Sequence, residues 1–129
     1  PFKRARHVIT ENARVLKAVD ALQNDDFSAL GELLFRSHES LRDDYEVSCP
    51  ELDLLHDIGR GFPGCLGARL VGAGFGGSGI ALLEKPALPG FRKAMTAEAA
   101  ERGFPRPEFH EIAVGEGAKV SWLNGLNRP

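Results

Sequence analysis

The stretch Gly67–Glu84, GARLVGAGFGGSGIALLE, constrains this chain more than any other. Two apolar segments that read as strands flank GAGFGG at 72–77, where four of six positions are glycine. A hairpin turns on one or two glycines. Each further glycine costs chain entropy on folding, so a turn alone does not account for the surplus. Bare backbone N–H groups with no Cβ in the way form an anion-binding concavity and let a phosphate or a second backbone come close. Gly72, Gly74, Gly76 and Gly77 are the candidate ligand-binding positions, and Ser78 adds a hydroxyl donor. The stretch is neither a P-loop, which needs Gly-Lys-Ser/Thr, nor a dinucleotide fingerprint opening a helix. A wide turn passing under a neighbouring domain is the competing explanation, and spacing alone does not separate the two.

Around the loop the chain alternates between helical and extended periodicity. From about Arg6 to Leu22, the residues Val8, Ile9, Val15, Leu16, Val19 and Leu22 gather on one half of a helical wheel, opposite Thr10, Arg14 and Lys17. Asn12 falls inside that stripe and is expected as a paired core amide joining two helices. A second helix starts at Asp25 or Asp26, either of which can cap it, and carries Phe27, Leu30, Leu34 and Leu41, with Ser37 interrupting the stripe. Ser48 and Glu51 have capping-box spacing around Pro50, which predicts a third helix through Leu52, Leu55 and Ile58 to Gly59–Gly61. Leu66, Ala68 and Leu70 alternate as in a strand, and GIALLE reads as a central one. A helix follows from about Leu88 to Arg102 with Phe91 and Met95 inward, then a strand at Phe109–Val114 and a further one in AKVSWL, 118–123. The order predicts an α+β fold: three N-terminal helices packed on a mostly antiparallel sheet with one later helix.

At 129 residues the chain is expected to form a single domain, 1–129. A formal net charge of −2 argues against a nucleic-acid or membrane surface built on bulk positive charge, and no apolar run approaches a membrane span. Cys49 and Cys65 lack metal-ligand spacing and read as small buried hydrophobes, which fits a reducing, cytoplasmic setting. The opening PFKRARH has no initiator Met and runs straight into a helix, as a domain excised from a larger protein would.

Other chemistry-bearing groups are weaker signals. His7 and Glu11 stand one helical turn apart, a spacing that can bind metal but more commonly forms an ion pair. Asp43, Asp44 and Glu46 resemble a Mg²⁺ cluster, although acids before a helix are usually solvated or capping. Ser37–His38 has no third group to complete a nucleophilic triad. No metal site is expected. Arg69 is expected either exposed on its strand or facing another domain.

Three blocks, RARHVITENARV, SHESLRDDYEVSCPELD and GARLVGAGFGGSGIALLE, in this order and separation, resemble the C-terminal half of the bacterial galactokinases. These belong to the GHMP small-molecule kinases, with homoserine and mevalonate kinases. The GxGFGG core marks the wider family, and the first two blocks point to galactokinases within it. Val71 stands where the family often has Thr. The resemblance, over about Arg4 to Val120, implies a ferredoxin-like GHMP C-terminal domain and a parent enzyme that phosphorylates galactose to galactose 1-phosphate with ATP and Mg²⁺. It also implies that the sugar-binding segment, main phosphate loop and catalytic Asp and Arg reside in a partner N-terminal kinase domain. No catalytic residue is then expected in this chain, which would supply Gly72–Gly77 as one wall of the cleft and be inactive alone. Tyr45 and Ser48 are expected to lock the connection beside the loop. A non-catalytic sugar- or nucleotide-responsive module, or a GHMP kinase with another small substrate, are the alternatives.

Overall fold

The structure, a computed structural model, describes residues 2–116. Helix α1 spans Phe2–Gln23, α2 Phe27–Ser40 and α3 Pro50–Gly61; strands β1 (Cys65–Val71) and β2 (Ser78–Leu83) follow, then α4 (Leu88–Glu101). Local chemistry accounts for most of these boundaries. The Asp26 carboxylate caps α2 by accepting from Ala29 N–H at 2.9 Å. Pro50 opens α3 in the first turn, where its missing N–H costs nothing. The predicted capping box does not form: Cys49 is the N-cap without a side-chain bond, and the Ser48 hydroxyl donates instead to Asp53. Helix α2 does not end in a loop but runs into a π-helical turn at Leu41–Tyr45, closed by Glu46 in the left-handed conformation.

The two strands pair antiparallel, Val71 opposite Ser78 and Ala68 opposite Ala81, with an irregularity between Cys65 and Gly67. Ala68 and Leu70 are fully buried, as their alternation predicts. Strand β2 is half-buried and pairs only with β1 among the described residues, so it is not the central strand its composition suggests. Phe109–Val114 is not a strand here: it has no ladder partner among the described residues, and Ile112 and Val114 are exposed. The predicted strand at 118–123 lies outside the described residues.

Helix α2 crosses β1 at backbone contact. A Cβ on Gly31 would lie 1.9 Å from Leu66 O, and one on Gly67 would lie 2.5 Å from Gly31 Cα. The apolar core divides into two parts. Leu41, Val47, Leu52 and Leu70 cluster beneath the π-turn, with Cys49 packed against them. Leu54, Phe91, Met95 and Ala99 join α3 to α4, with Cys65 and Ile58 alongside.

Helix α1 reverses the prediction. Its apolar half faces outward, with Phe2 77%, Ile9 70% and Leu16 73% exposed, and Val8, Val15, Val19 and Leu22 about half exposed. Asn12 sits on that exposed face and is not a core amide. The side turned to the body is polar or small: His7 and Ala21 are buried, and Glu11, Arg14 and Ala18 half-buried. Periodicity locates an apolar face correctly but does not say which body covers it.

Candidate functional site

The glycine loop leaves β1 at Gly72 and enters β2 at Ser78. Gly72, Gly74, Gly76 and Gly77 all have positive φ, between 79° and 116°, which an L side chain rarely adopts. Phe75 shares that region at φ 62°, strained for a non-glycine residue, and its ring is 75% exposed at the tip. A single bond holds the strained tip: Phe75 N–H donates to Val47 O at 2.7 Å. Gly74 lies against the same carbonyl, where a Cβ would be 2.3 Å from Val47 O. The close approach inferred from composition is therefore made, at Gly74, to the chain's own backbone.

Gly72, Gly76 and Gly77 differ. A Cβ on any of them would meet nothing within 4 Å. Among the described residues no protein acceptor takes the N–H of Gly74, Gly76 or Gly77. Ser78 is exposed at the start of β2. The loop is thus anchored at Gly74 and Phe75, while Gly76 and Gly77 carry unengaged N–H donors and have no neighbour where a side chain would stand, features that suit a close-approaching anion. Two shallow surface depressions, one lined by Arg92, Thr96 and Phe109 and one by Lys17, Asp20 and Arg36, contain no residue of this loop.

The segment that anchors the loop is itself tied down. The Ser48 hydroxyl donates to Asp53 Oδ1 at 2.6 Å, and His38 Nε2 lies 3.0 Å from the same oxygen. His38 Nδ1 accepts the Leu70 N–H at 3.1 Å, at the foot of the loop. With Nδ1 accepting, the neutral ring carries its proton on Nε2. Burial lowers the His38 pKa below its ordinary 6.5, and Asp53 offsets this in part. The His56 ring stacks on His38 at 4.9 Å. Ser37–His38 is accordingly structural: the Ser37 hydroxyl donates to Glu11 at 2.6 Å, and His38 braces the strand.

The remaining candidates are ion pairs. His7 does not bond Glu11; its Nδ1 lies 3.0 Å from Ser40 Oγ, and its ring lies against Tyr45 at 4.8 Å. Glu11 pairs with Arg14 at 2.7 Å and with Arg69 at 3.4 Å. Burial pushes the Glu11 pKa up, but the Ser37 hydroxyl and Arg14 and Arg69 outweigh it and hold the carboxyl below its usual range. Arg69 is not an exposed, free residue of its strand: it is half-buried, and Nε also donates to Leu70 O at 2.8 Å. Asp44 is buried against Arg6 and accepts from the Ser40 hydroxyl; Glu46 takes Arg4 at 2.9 Å and Lys3 at 3.4 Å; Asp43 takes Arg42 at 2.8 Å. Asp44 and Glu46 pin α1 to the π-turn, Asp43 pairs within the turn, and no group of three metal-binding side chains occurs among the described residues. Val47, Asp53 and Phe75 are the site residues that sequence reasoning missed, and His38 was singled out only as half of an incomplete triad. Partners so far apart in sequence leave no local pattern.

Residues 18–105 match the family described as GHMP kinases C terminal. The chain belongs to the GHMP kinase C-terminal family. Galactokinase of Thermotoga maritima is 50% identical over 117 residues, 91% of this chain and 33% of the relative. Bos taurus galactokinase is 44% identical over 119 residues, 92% of the chain and 29% of the relative. A crystal structure of Lactococcus lactis galactokinase complexed with galactose superposes with a TM-score of 0.76 at 45% identity, covering 80% of this chain and 27% of that one. The chain spans about a third of the length of the curated relatives it matches. The GHMP assignment agrees with the α+β order of elements and with the loop lying between two antiparallel strands. No helix of the described residues is long and apolar enough to cross a membrane.

Proposed function

We propose that this chain, as one domain, is the C-terminal lobe of a cytoplasmic galactokinase that transfers the γ-phosphoryl group of ATP to galactose, giving galactose 1-phosphate. The observation that carries this reading is the 39–52% identity with galactokinases from several bacterial groups and cattle over at least nine-tenths of the chain. Phosphoryl transfer is catalysed almost wholly by positioning and by stabilising charge. The unengaged N–H groups at Gly74, Gly76 and Gly77 fit a phosphate oxygen, with Gly72 and Ser78 flanking them. Mg²⁺, when bound, neutralises charge on the nucleotide; Asp43, Asp44 and Glu46 are paired with Arg and Lys, and the family resemblance assigns the metal to the partner lobe. The exposed apolar face of α1 is the footprint of that N-terminal lobe, since a contiguous face of this kind exceeds the scattered apolar residues of an ordinary surface.

The test is a chimera in which this chain replaces the corresponding third of Thermotoga maritima galactokinase. It should phosphorylate galactose, while the 129-residue chain alone should show no turnover. Ile9→Glu combined with Leu16→Glu should leave the helical content of the isolated chain unchanged and abolish the chimera's activity. A well-folded chimera that is silent on galactose, or that prefers homoserine or mevalonate, overturns the proposal.

A further inference from the structure

Six consecutive residues, Gly72–Gly77, include four glycines and one strained phenylalanine, yet among the described residues a single backbone bond, Phe75 N–H to Val47 O, ties them to the rest of the chain. Glycine-rich backbone loses much entropy when ordered, so what holds the two attachment points fixes the loop. The first point is Leu70, whose N–H is taken by His38 of α2. The second is the Val47 carbonyl, which takes Phe75 N–H and blocks any side chain at Gly74. Asp53 of α3 joins these points, because one of its oxygens receives both His38 Nε2–H and the hydroxyl of Ser48, the residue after Val47.

We propose that His38, Asp53 and Ser48 form a brace that sets the position of the glycine loop, and that His38 and Asp53 are positioning residues for its backbone donors. The hydrogen bonds close a circuit from Leu70 through His38, Asp53, Ser48 and Val47 to Phe75 and back along the chain. His38 is wholly buried, with both ring nitrogens engaged, so it cannot turn without losing a bond at one end. A buried histidine needs partners in any fold, but any partners satisfy that need; here they are the two places from which the loop hangs. The consequence for catalysis rests on the function proposed above, whereas the brace itself does not.

Amide hydrogen exchange on the 129-residue chain tests the brace directly. Ser48→Ala and His38→Asn each cut the route to Val47, the latter keeping an acceptor where Nδ1 lies. Both should speed exchange at Phe75 by about tenfold while leaving the Phe91, Met95 and Ala99 amides of α4 within about twofold. His38→Asn should preserve protection at Leu70, and His38→Gln, which keeps a donor toward Asp53 but no acceptor for the strand, should lose it there. Unchanged exchange at Phe75, or an equal rise at α4, overturns the brace and leaves only a contribution to general stability. In the chimera, Ser48→Ala should raise the KM for ATP several-fold, with the KM for galactose unchanged. A loosened loop with unaltered kinetic constants would support the brace and overturn the reading of the loop as a nucleotide contact.

Discussion

Replacing Gly74 by alanine separates the two demands on the loop. At φ 81° an alanine carries a conformational cost of about 1–2 kcal/mol. Its Cβ would also lie 2.3 Å from Val47 O and 2.8 Å from Val47 Cβ. Because the near atom is backbone, no rotamer change relieves the overlap; the tip has to retreat by roughly 0.7 Å to regain even a tight 3.0 Å contact. That retreat lengthens the 2.7 Å Phe75–Val47 bond to about 3.4 Å, past the normal N–H···O range, and forfeits up to about 1 kcal/mol more. The sum is about 2–3 kcal/mol, unless the loop releases its anchor and caps the loss at its own opening energy. Gly103, at φ 69° with nothing within 4 Å of a Cβ, supplies the control for backbone strain, and Gly76, at φ 116° and equally open, supplies a second inside the loop. Urea unfolding followed by far-ultraviolet circular dichroism should rank Gly74→Ala below Gly76→Ala and Gly103→Ala by about 1 kcal/mol. Phe75 amide exchange should rise only in the first. Equal losses at all three sites would refute the contact with Val47. In the chimera Gly76→Ala, which keeps the anchor but places a methyl among the open donors, should reduce turnover.

Two further outcomes follow from the packing and the titrating groups. Gly31→Ala gains about 1 kcal/mol of helix propensity but forces α2 off the Leu66 carbonyl; overpacking against backbone should leave a net loss of about 2 kcal/mol, read as a fall in Tm of about 8 °C, and an unchanged Tm would refute the crossing. Burial lowers the pKa of His38 and of His7, so the unfolded chain takes up protons below the ordinary value of 6.5 that the folded chain refuses. Their contribution is full above pH 6.5 and is lost as pH falls through the lowered values. The groups facing His38 are Asp53, Ser48 and His56 on the α3 side, Arg42 on the π-turn and the Leu70 N–H. Stability measured by denaturation should drop from pH 7 to 5, with a shallower slope in His38→Asn; a flat profile over that range would refute the neutral buried histidines.

Wherever a local rule acted, the sequence was legible. Asp26 caps, Pro50 opens α3, Gly59–Gly61 closes it, and Ala68 and Leu70 alternate into the core as their spacing predicts. Reading failed where the deciding partner lay elsewhere. Ser48 has capping-box spacing, yet its hydroxyl goes to Asp53, because that carboxylate also holds a buried imidazole and is the better acceptor. Phe109–Val114 has strand composition and no ladder partner among the described residues, and a strand without a neighbour is not a strand. The glycine loop was found by composition, but its anchor at Val47 could not be, since one carbonyl in a distant segment leaves no signature.

Helix α1 carries the energetic consequence of the proposed two-lobe arrangement. Its inner face meets the body through directional bonds, His7 to Ser40 and Glu11 to Ser37 and Arg69, each worth about 1 kcal/mol net, with more where a charge is involved. On its outer face are seven apolar side chains that are about half or more exposed. Full burial of one such side chain is worth about 1.5–3 kcal/mol, so covering the exposed half of seven offers roughly 5–10 kcal/mol to whatever docks there. That is of the same order as these bonds taken together with the Arg6–Asp44 and Arg4–Glu46 ion pairs that also fasten the helix. A lobe seated on α1 therefore governs its position as much as the body does. Glu11 on that helix holds Arg69, next to Leu70 at the foot of the glycine loop, and Leu70 is the point His38 grips from the other side. In the proposed two-lobe arrangement, a lobe docked on α1 and the brace under the glycine loop therefore act on two adjacent residues of β1, Arg69 and Leu70.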